Sequence, residues 1–309
     1  MELITPPTLI EGDLVGIVAP ARKVSEEEVL PAINLLNSWG LKVLLSKNIY
    51  GSYNQFSGTD EERAADFQEM IDDSKVKAIF CARGGYGSIR LLDLLDLRAL
   101  QRNPKWVIGY SDITVFHGML NTWFFLETIH GTMPLNFPKD GSENLSTQSL
   151  RRVLFGESPT YHAPSHEFNR LGTAEGLLTG GNLSILYSVA GTDADITTDG
   201  KILFIEDLDE YLYHVDRMMM NLKHSGKFTN LAGLVVGSMN SMNDNTISFG
   251  KSAYEIIKEC VASYDFPVCF GFPAGHEEPN LALVMARKVK LIVDENGATL
   301  SFSPPSCKL

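Results

Sequence analysis

Ser111 stands where two patterns meet. Before it, Trp106-Val107-Ile108 is a short apolar run bounded by Pro104 and Gly109, as expected of a buried strand. After it, Ile113, Phe116, His117, Leu120 and Trp123 recur at the three- and four-residue spacing of a helix. A serine at such a corner is lifted out of the sheet near a helix N-terminus, where unpaired backbone N–H groups and the helix dipole favour developing negative charge. That is the setting of a nucleophile elbow. The usual Gly-x-Ser-x-Gly pattern is half matched, with Gly109 present and Ile113 in place of the second glycine. The same residues also fit a plainer role, Ser111 as an N-cap with Asp112 reinforcing the dipole.

A serine hydroxyl becomes a useful nucleophile only when a base takes its proton and an acid holds that base in the right tautomer. Seven histidines compete for the base. His162 and His166 fall in an expected linker, His214 and His224 belong to or follow a methionine-rich helix, and His117 lies on the helix behind the corner. His130 and His276 remain. His130-Gly131-Thr132 leaves an apolar run, and Gly275-His276 sits on a glycine-rich loop directly after one. The candidate acid is Glu206, which follows the apolar strand Lys201 to Ile205 with no turn residue between. Glu206 also opens a run of four acids in five residues, which otherwise reads as a solvated face. The order Ser111, Glu206, His276 would put nucleophile and base on different halves of the chain, with a cleft between.

A second feature lies at Ala82-Arg83-Gly84-Gly85-Tyr86-Gly87-Ser88. Glycines directly after a strand let the backbone approach a ligand and aim successive N–H groups at an anion. The run matches neither the dinucleotide nor the P-loop pattern. An oxyanion hole uses the same geometry, and this loop would share the carboxyl edge of the sheet with Ser111. A simple tight turn is the alternative.

The elements that position these residues follow from periodicity. Leu14 to Pro20, Leu41 to Leu45, Val76 to Cys81, Trp106 to Gly109 and Phe124 to Ile129 read as strands. Helical stretches alternate with them, one opened by the capping box Ser25/Glu28 and the next beginning at Thr59. This predicts an α/β fold with an N-terminal doubly wound parallel sheet over residues 1–160. Polar, Pro- and Gly-containing sequence over 157–172 suggests a domain boundary. Beyond it, Gly180-Gly181 reads as a turn into a helix, and the alternating stretches from Leu281 to Phe302 predict a β-rich C-terminal α/β domain over 170–309.

Composition narrows the partners. At 309 residues and 44% hydrophobic the chain can build ample cores, while a net charge of −12 without a basic run disfavours nucleic acid and anionic membranes. Cys81, Cys260, Cys269 and Cys307 form no C-x-x-C pair, and no ligand cluster suggests a metal or other cofactor. With no apolar run near 18 residues and no signal-like N-terminus, a soluble, cytoplasmic protein is expected.

The blocks Ala82-Arg-Gly-Gly-Tyr-Gly-Ser88, Ile108-Gly-Tyr-Ser-Asp-Ile-Thr114, His130-Gly131, Gly180-Gly-Asn-Leu183, Ile202-Leu-Phe-Ile-Glu-Asp207 and Gly275-His276 together resemble the LD-carboxypeptidase family. The resemblance runs from about Gly12 to Val293. It implies a class I glutamine amidotransferase-like N-terminal domain, a β-rich C-terminal domain and a homodimer. It further implies a triad of Ser111 as nucleophile, His276 as base and Glu206 as orienting acid, with the backbone N–H groups of Gly85 and Asp112 as oxyanion hole. Arg83, Gly84, His130 and Thr132 are the expected substrate contacts. The implied activity is removal of the terminal D-alanine from cytoplasmic murein tetrapeptide, a small peptide substrate. A related branch confers microcin C immunity by processing a peptidyl-nucleotide analogue on the same scaffold. Thr132-Met133 departs from the Gly-Pro-Met-like sequence expected after His130-Gly131.

Overall fold

A computed structural model describes residues 2–305 and forms two sheets. The first half yields β1 (Leu14–Val18), α1 (Glu26–Ser38), β2 (Lys42–Leu45), α2 (Asp60–Asp72), β3 (Val76–Cys81), α3 (Ala99–Arg102), β4 (Trp106–Gly109), α4 (Thr114–Trp123), β5 (Thr128–His130) and α5 (Leu145–Leu154). The five strands are parallel in the order β5-β4-β3-β1-β2. The central strands β1 and β4 are apolar throughout because helices cover both faces, and β4 is buried at all four positions. Both α1 and α2 open with complete capping boxes, Ser25 with Glu28 and Thr59 with Glu62, which satisfy the first free N–H groups.

The second half yields β6 (Thr160–Pro164), β7 (Gly172–Asn182), α6 (Leu183–Ser188), β8 (Ile202–Leu208), α7 (Leu212–His224), β9 (Gly233–Asn240), α8 (Ala253–Cys260), β10 (Val268–Cys269), β11 (Leu283–Met285), β12 (Lys288–Asp294) and β13 (Gly297–Phe302). Its sheet runs β10-β9-β8-β7-β12-β13-β6, parallel from β10 to β7 and antiparallel from there to β6. The carboxyl ends of β7 and β8 face the nucleophile corner, and Asn182 N donates to Thr114 Oγ1 at 3.0 Å.

Four local readings differ from the sequence expectation. The stretch read as a linker contains β6, where Tyr161 and Ala163 are buried and alternate with exposed neighbours. As an edge strand it tolerates the closing Pro164. Gly180 and Gly181 form no turn; they end β7 at positive φ, where side chains would run into the Phe204 carbonyl and Thr114. Ser88–Leu94, which falls among the helical stretches expected between strands, is a 3-10 stretch rather than an α-helix. Lastly, β11 leaves the second half and pairs antiparallel with β5, completing the first sheet.

That crossing makes the halves share a core, with Phe80, Trp106 and Ile108 in the same apolar cluster as Phe204, Met285 and Leu291. The buried pair Arg287–Glu127 crosses the same seam, Nε to Oε1 at 3.0 Å. Cys81, Cys260 and Cys269 are buried free thiols, and Cys307 lies outside the described residues. No helix among the described residues is long and apolar enough to cross a membrane.

Candidate active site

Ser111 occupies the left-handed region at φ 63°, a conformation that a residue with a Cβ adopts only at a cost of roughly 1–3 kcal/mol. The surroundings enforce it. Ile113 N donates to Tyr110 O at 3.3 Å, and Ile113 folds back over Gly109, where a Cβ would stand 2.8 Å from its side chain. The missing second glycine of the elbow is therefore an isoleucine that uses the first glycine as its floor.

The corner is tied to the loop after β3. Asp112 is buried, and its Oδ2 accepts from Ser88 N at 2.8 Å. Burial raises the Asp112 pKa, against the Ser88 hydrogen bonds and the positive charges of Arg63 and Arg22. The buried guanidinium of Arg63 holds the loop from the other side. It donates to Gly87 O at 3.1 Å, to Gly58 O at 3.3 Å and to Pro20 O, and it pairs with Asp60. Between these clamps, a Cβ on Gly84 would lie 3.1 Å from Ser111 Cβ and 3.3 Å from its Oγ. The N–H groups of Gly85 and Asp112 donate to no hydrogen bond among the described residues.

Glu206 comes from β8, whose register against β9 shifts between Ile205 and Asp207. Its carboxylate is fully buried, and Oε2 accepts from His276 Nδ1 at 2.7 Å. With that proton directed at the carboxylate, His276 Nε2 is left as the basic nitrogen. The His276 loop reaches this position through Gly275, at φ 121°, where a Cβ would stand 2.5 Å from Ser238 Oγ and 2.9 Å from Glu206 Cβ. Gly275 N donates to Asn280 Oδ1, and the His276 carbonyl accepts from Asn240 Nδ2 at 2.9 Å.

Burial disfavours a charged His276, but the hydrogen bond and charge of Glu206 and the charge of Asp207 outweigh it, and the pKa lies above that of an ordinary histidine. Asp207 is itself raised to about 7, by burial first and then by Glu206. It ties β8 to the α6 N-terminus by accepting from Asn182 Nδ2 and Ser184 N, each at 2.9 Å.

Nucleophile and base approach through a shared neighbour. The Tyr110 ring, one residue before Ser111, meets the His276 ring edge to face at 4.7 Å between centroids. No Ser111–His276 hydrogen bond is formed among the described residues, and in such sites that bond commonly tightens when substrate binds. Tyr110, Thr132, Asn136, Ser146, His276 and Asn280 line a cavity of about 400 Å³ together with Leu208, Glu277 and Glu278.

The other expected contacts are placed differently. Thr132 lines the cavity. His130 is fully buried, edge-on to Phe204 at 4.9 Å and Tyr110 at 5.8 Å, with neither ring nitrogen hydrogen-bonded among the described residues. Burial, then the neighbouring imidazoles of His117 and His276, hold its pKa well below the usual value, so it is a neutral packing residue beneath the cleft. Arg83 donates to Lys23 O at 3.3 Å. Sequence reasoning missed Arg63, Tyr110 and Asp207. A buried arginine on an otherwise charged helix face gives no sequence signal, whereas Asp207 beside Glu206 at a strand end was visible in the acidic run. No cluster of three metal-ligating side chains occurs among the described residues.

Comparison with known proteins agrees with this architecture. Residues 15–131 match the LD-carboxypeptidase N-terminal domain, and residues 175–291 match the LD-carboxypeptidase C-terminal domain. The probable murein peptide carboxypeptidase of Bacillus subtilis is 35% identical over 298 residues, covering 96% of this chain and 93% of that protein. The murein tetrapeptide carboxypeptidase of Pseudomonas aeruginosa is 31% identical over 280 residues, covering 87% and 89%. The crystal structure of muramoyltetrapeptide carboxypeptidase from Oxalobacter formigenes superposes with a TM-score of 0.84 at 27% identity, covering 94% of this chain and 98% of that one. With both domain models matched in order and relatives aligned along nearly its whole length, the chain belongs to the LD-carboxypeptidase family of serine peptidases.

Proposed function

We propose that this enzyme is an L,D-carboxypeptidase that releases the terminal D-alanine from murein tetrapeptide through Ser111, His276 and Glu206. The observation that carries the reading is the buried Glu206–His276 pair at 2.7 Å, packed against the residue that precedes a left-handed serine. In the first step His276 Nε2 takes the Ser111 proton while Oγ attacks the carbonyl of the penultimate residue. The resulting oxyanion accepts from the unpaired N–H groups of Gly85 and Asp112, which are held in place before reaction and need no reorganisation. His276 then protonates the departing amine of D-alanine, leaving an acyl-enzyme that a water activated at the same nitrogen hydrolyses.

The murein peptide substrate is supported by the names of the relatives and by a cavity lined mainly with hydrogen-bonding side chains. The family resemblance supports a cytoplasmic role in wall recycling and a homodimeric working unit. The test is D-alanine release from murein tetrapeptide by the intact enzyme and by Ser111→Ala. Loss in the variant with an unchanged circular dichroism spectrum is expected, and full activity in Ser111→Ala ends the reading.

A further inference from the structure

Arg22, just beyond β1, lies across the glycine turn beside the nucleophile. A Cβ on Gly85 would stand 2.6 Å from Arg22 Cδ and 2.8 Å from its Nε. On the preceding residue, a Cβ at Gly84 would stand 3.3 Å from Ser111 Oγ. Consecutive residues of one turn thus border the hydroxyl and the arginine, and the arginine's charge reaches Asp112. Yet the exposed guanidinium has no hydrogen bond or ion pair among the described residues. Its neighbours differ, since Arg83 donates to Lys23 O and Lys23 Nζ donates to Ser52 Oγ at 3.2 Å.

A permanently charged planar fork beside a nucleophile matches a carboxylate. The alternative direction is unfavourable, because the cavity beside His276 carries Glu277 and Glu278 with no lysine or arginine. In a peptide that ends one residue beyond the scissile carbonyl, the terminal carboxylate lies about one Cα–Cα step, ~3.8 Å, further on. Ser111 and Arg22 border consecutive residues of this turn, which puts the arginine on the side toward which a group one residue beyond the carbonyl extends. We infer that Arg22 anchors the substrate's terminal carboxylate and so restricts the site to cutting one residue from a free C-terminus. The inference rests on the proposed peptidase reading and adds a carboxylate subsite to it.

The experiment compares D-alanine release from murein tetrapeptide with D-alaninamide release from the same peptide amidated at its C-terminus. The intact enzyme, Arg22→Gln and Arg22→Lys are measured side by side. A charged hydrogen bond of this kind corresponds to roughly 10- to 100-fold in kcat/KM. The intact enzyme is expected to prefer the free acid by about that factor. Arg22→Gln should lose the preference by slowing on the acid while keeping its rate on the amide, and Arg22→Lys should retain part of it. An acid-to-amide ratio unchanged in Arg22→Gln overturns the anchor and leaves the peptidase reading standing. No release from either peptide by the intact enzyme overturns the peptidase reading and the anchor with it.

Discussion

Glu206 and His276, 70 positions apart in the chain, meet at 2.7 Å with the carboxylate fully buried and the imidazole largely so. Because Glu206 sits at a register shift of a buried strand and is hemmed in by Gly237 and Gly275, the carboxylate has little room to turn elsewhere. The pair arrives preassembled, and the histidine is tuned by it.

The pH dependence follows from that tuning. A base must be neutral to accept a proton, so kcat/KM should rise with pH through the His276 pKa, and that limb should lie above the ordinary histidine value of about 6.5. In Glu206→Gln the raising contributions of Glu206 are lost while burial and only the weaker influence of Asp207 remain, so the limb should move to lower pH and kcat should fall at least ~100-fold. Rate profiles from pH 5 to 9 decide this. A limb at the same position in both proteins would contradict the assignment.

Backbone strain at Ser111 predicts opposite fates for two inactive variants. Ser111→Ala keeps a Cβ at φ 63° and should melt close to the intact protein, whereas Ser111→Gly should be more stable by about 1 kcal/mol. Thermal melts of the two variants, neither with a hydroxyl, separate strain from chemistry.

Arg63 is buried behind the Gly84–Ser88 loop and holds it through Gly87 O. Arg63→Met should cost about 3 kcal/mol of stability, since it strips a buried charge from its partners. At a temperature where the variant is folded, kcat should fall ~10-fold with KM nearly unchanged, because a loosened loop weakens stabilisation felt mainly in the transition state. Equal kcat in variant and parent would show the clamp to be purely structural.

Gly275 is required both by its positive φ and by the 2.5 Å approach of Ser238 Oγ. Gly275→Ala should lower stability by more than 1 kcal/mol and reduce kcat, because the His276 loop must back away from Glu206. Thermal melts and D-alanine release measure both effects. Normal activity there would mean that the loop has slack absent from this packing.

What was legible in the sequence is what depends on neighbouring residues. The change from an apolar run to helical spacing at Ser111 marks the corner, and the capping boxes mark the starts of α1 and α2. Glycine flanks on a loop after a strand singled out His276. What escaped depends on pairing between distant segments. The polar 157–172 stretch becomes an edge strand only because β13 offers a partner, and the positive φ at Gly180 and Gly181 answers to Phe204 and Thr114. The two histidines left open by spacing differ in solvation, which no local pattern encodes: His130 packs dry against Phe204, while His276 keeps a wet edge and a carboxylate.

The return of β11 to the first sheet carries a mechanical meaning. Shortly after His276 the backbone is stitched beside β5, from Leu283↔His130 to Met285↔Thr128, so the loop bearing the imidazole is anchored in both halves of the molecule. Separating the halves like jaws would tear that stitching before it widened the gap. Any wide parting of the halves would therefore cost strand pairing, so access to His276 is governed more by the rim side chains than by separation of the two sheets.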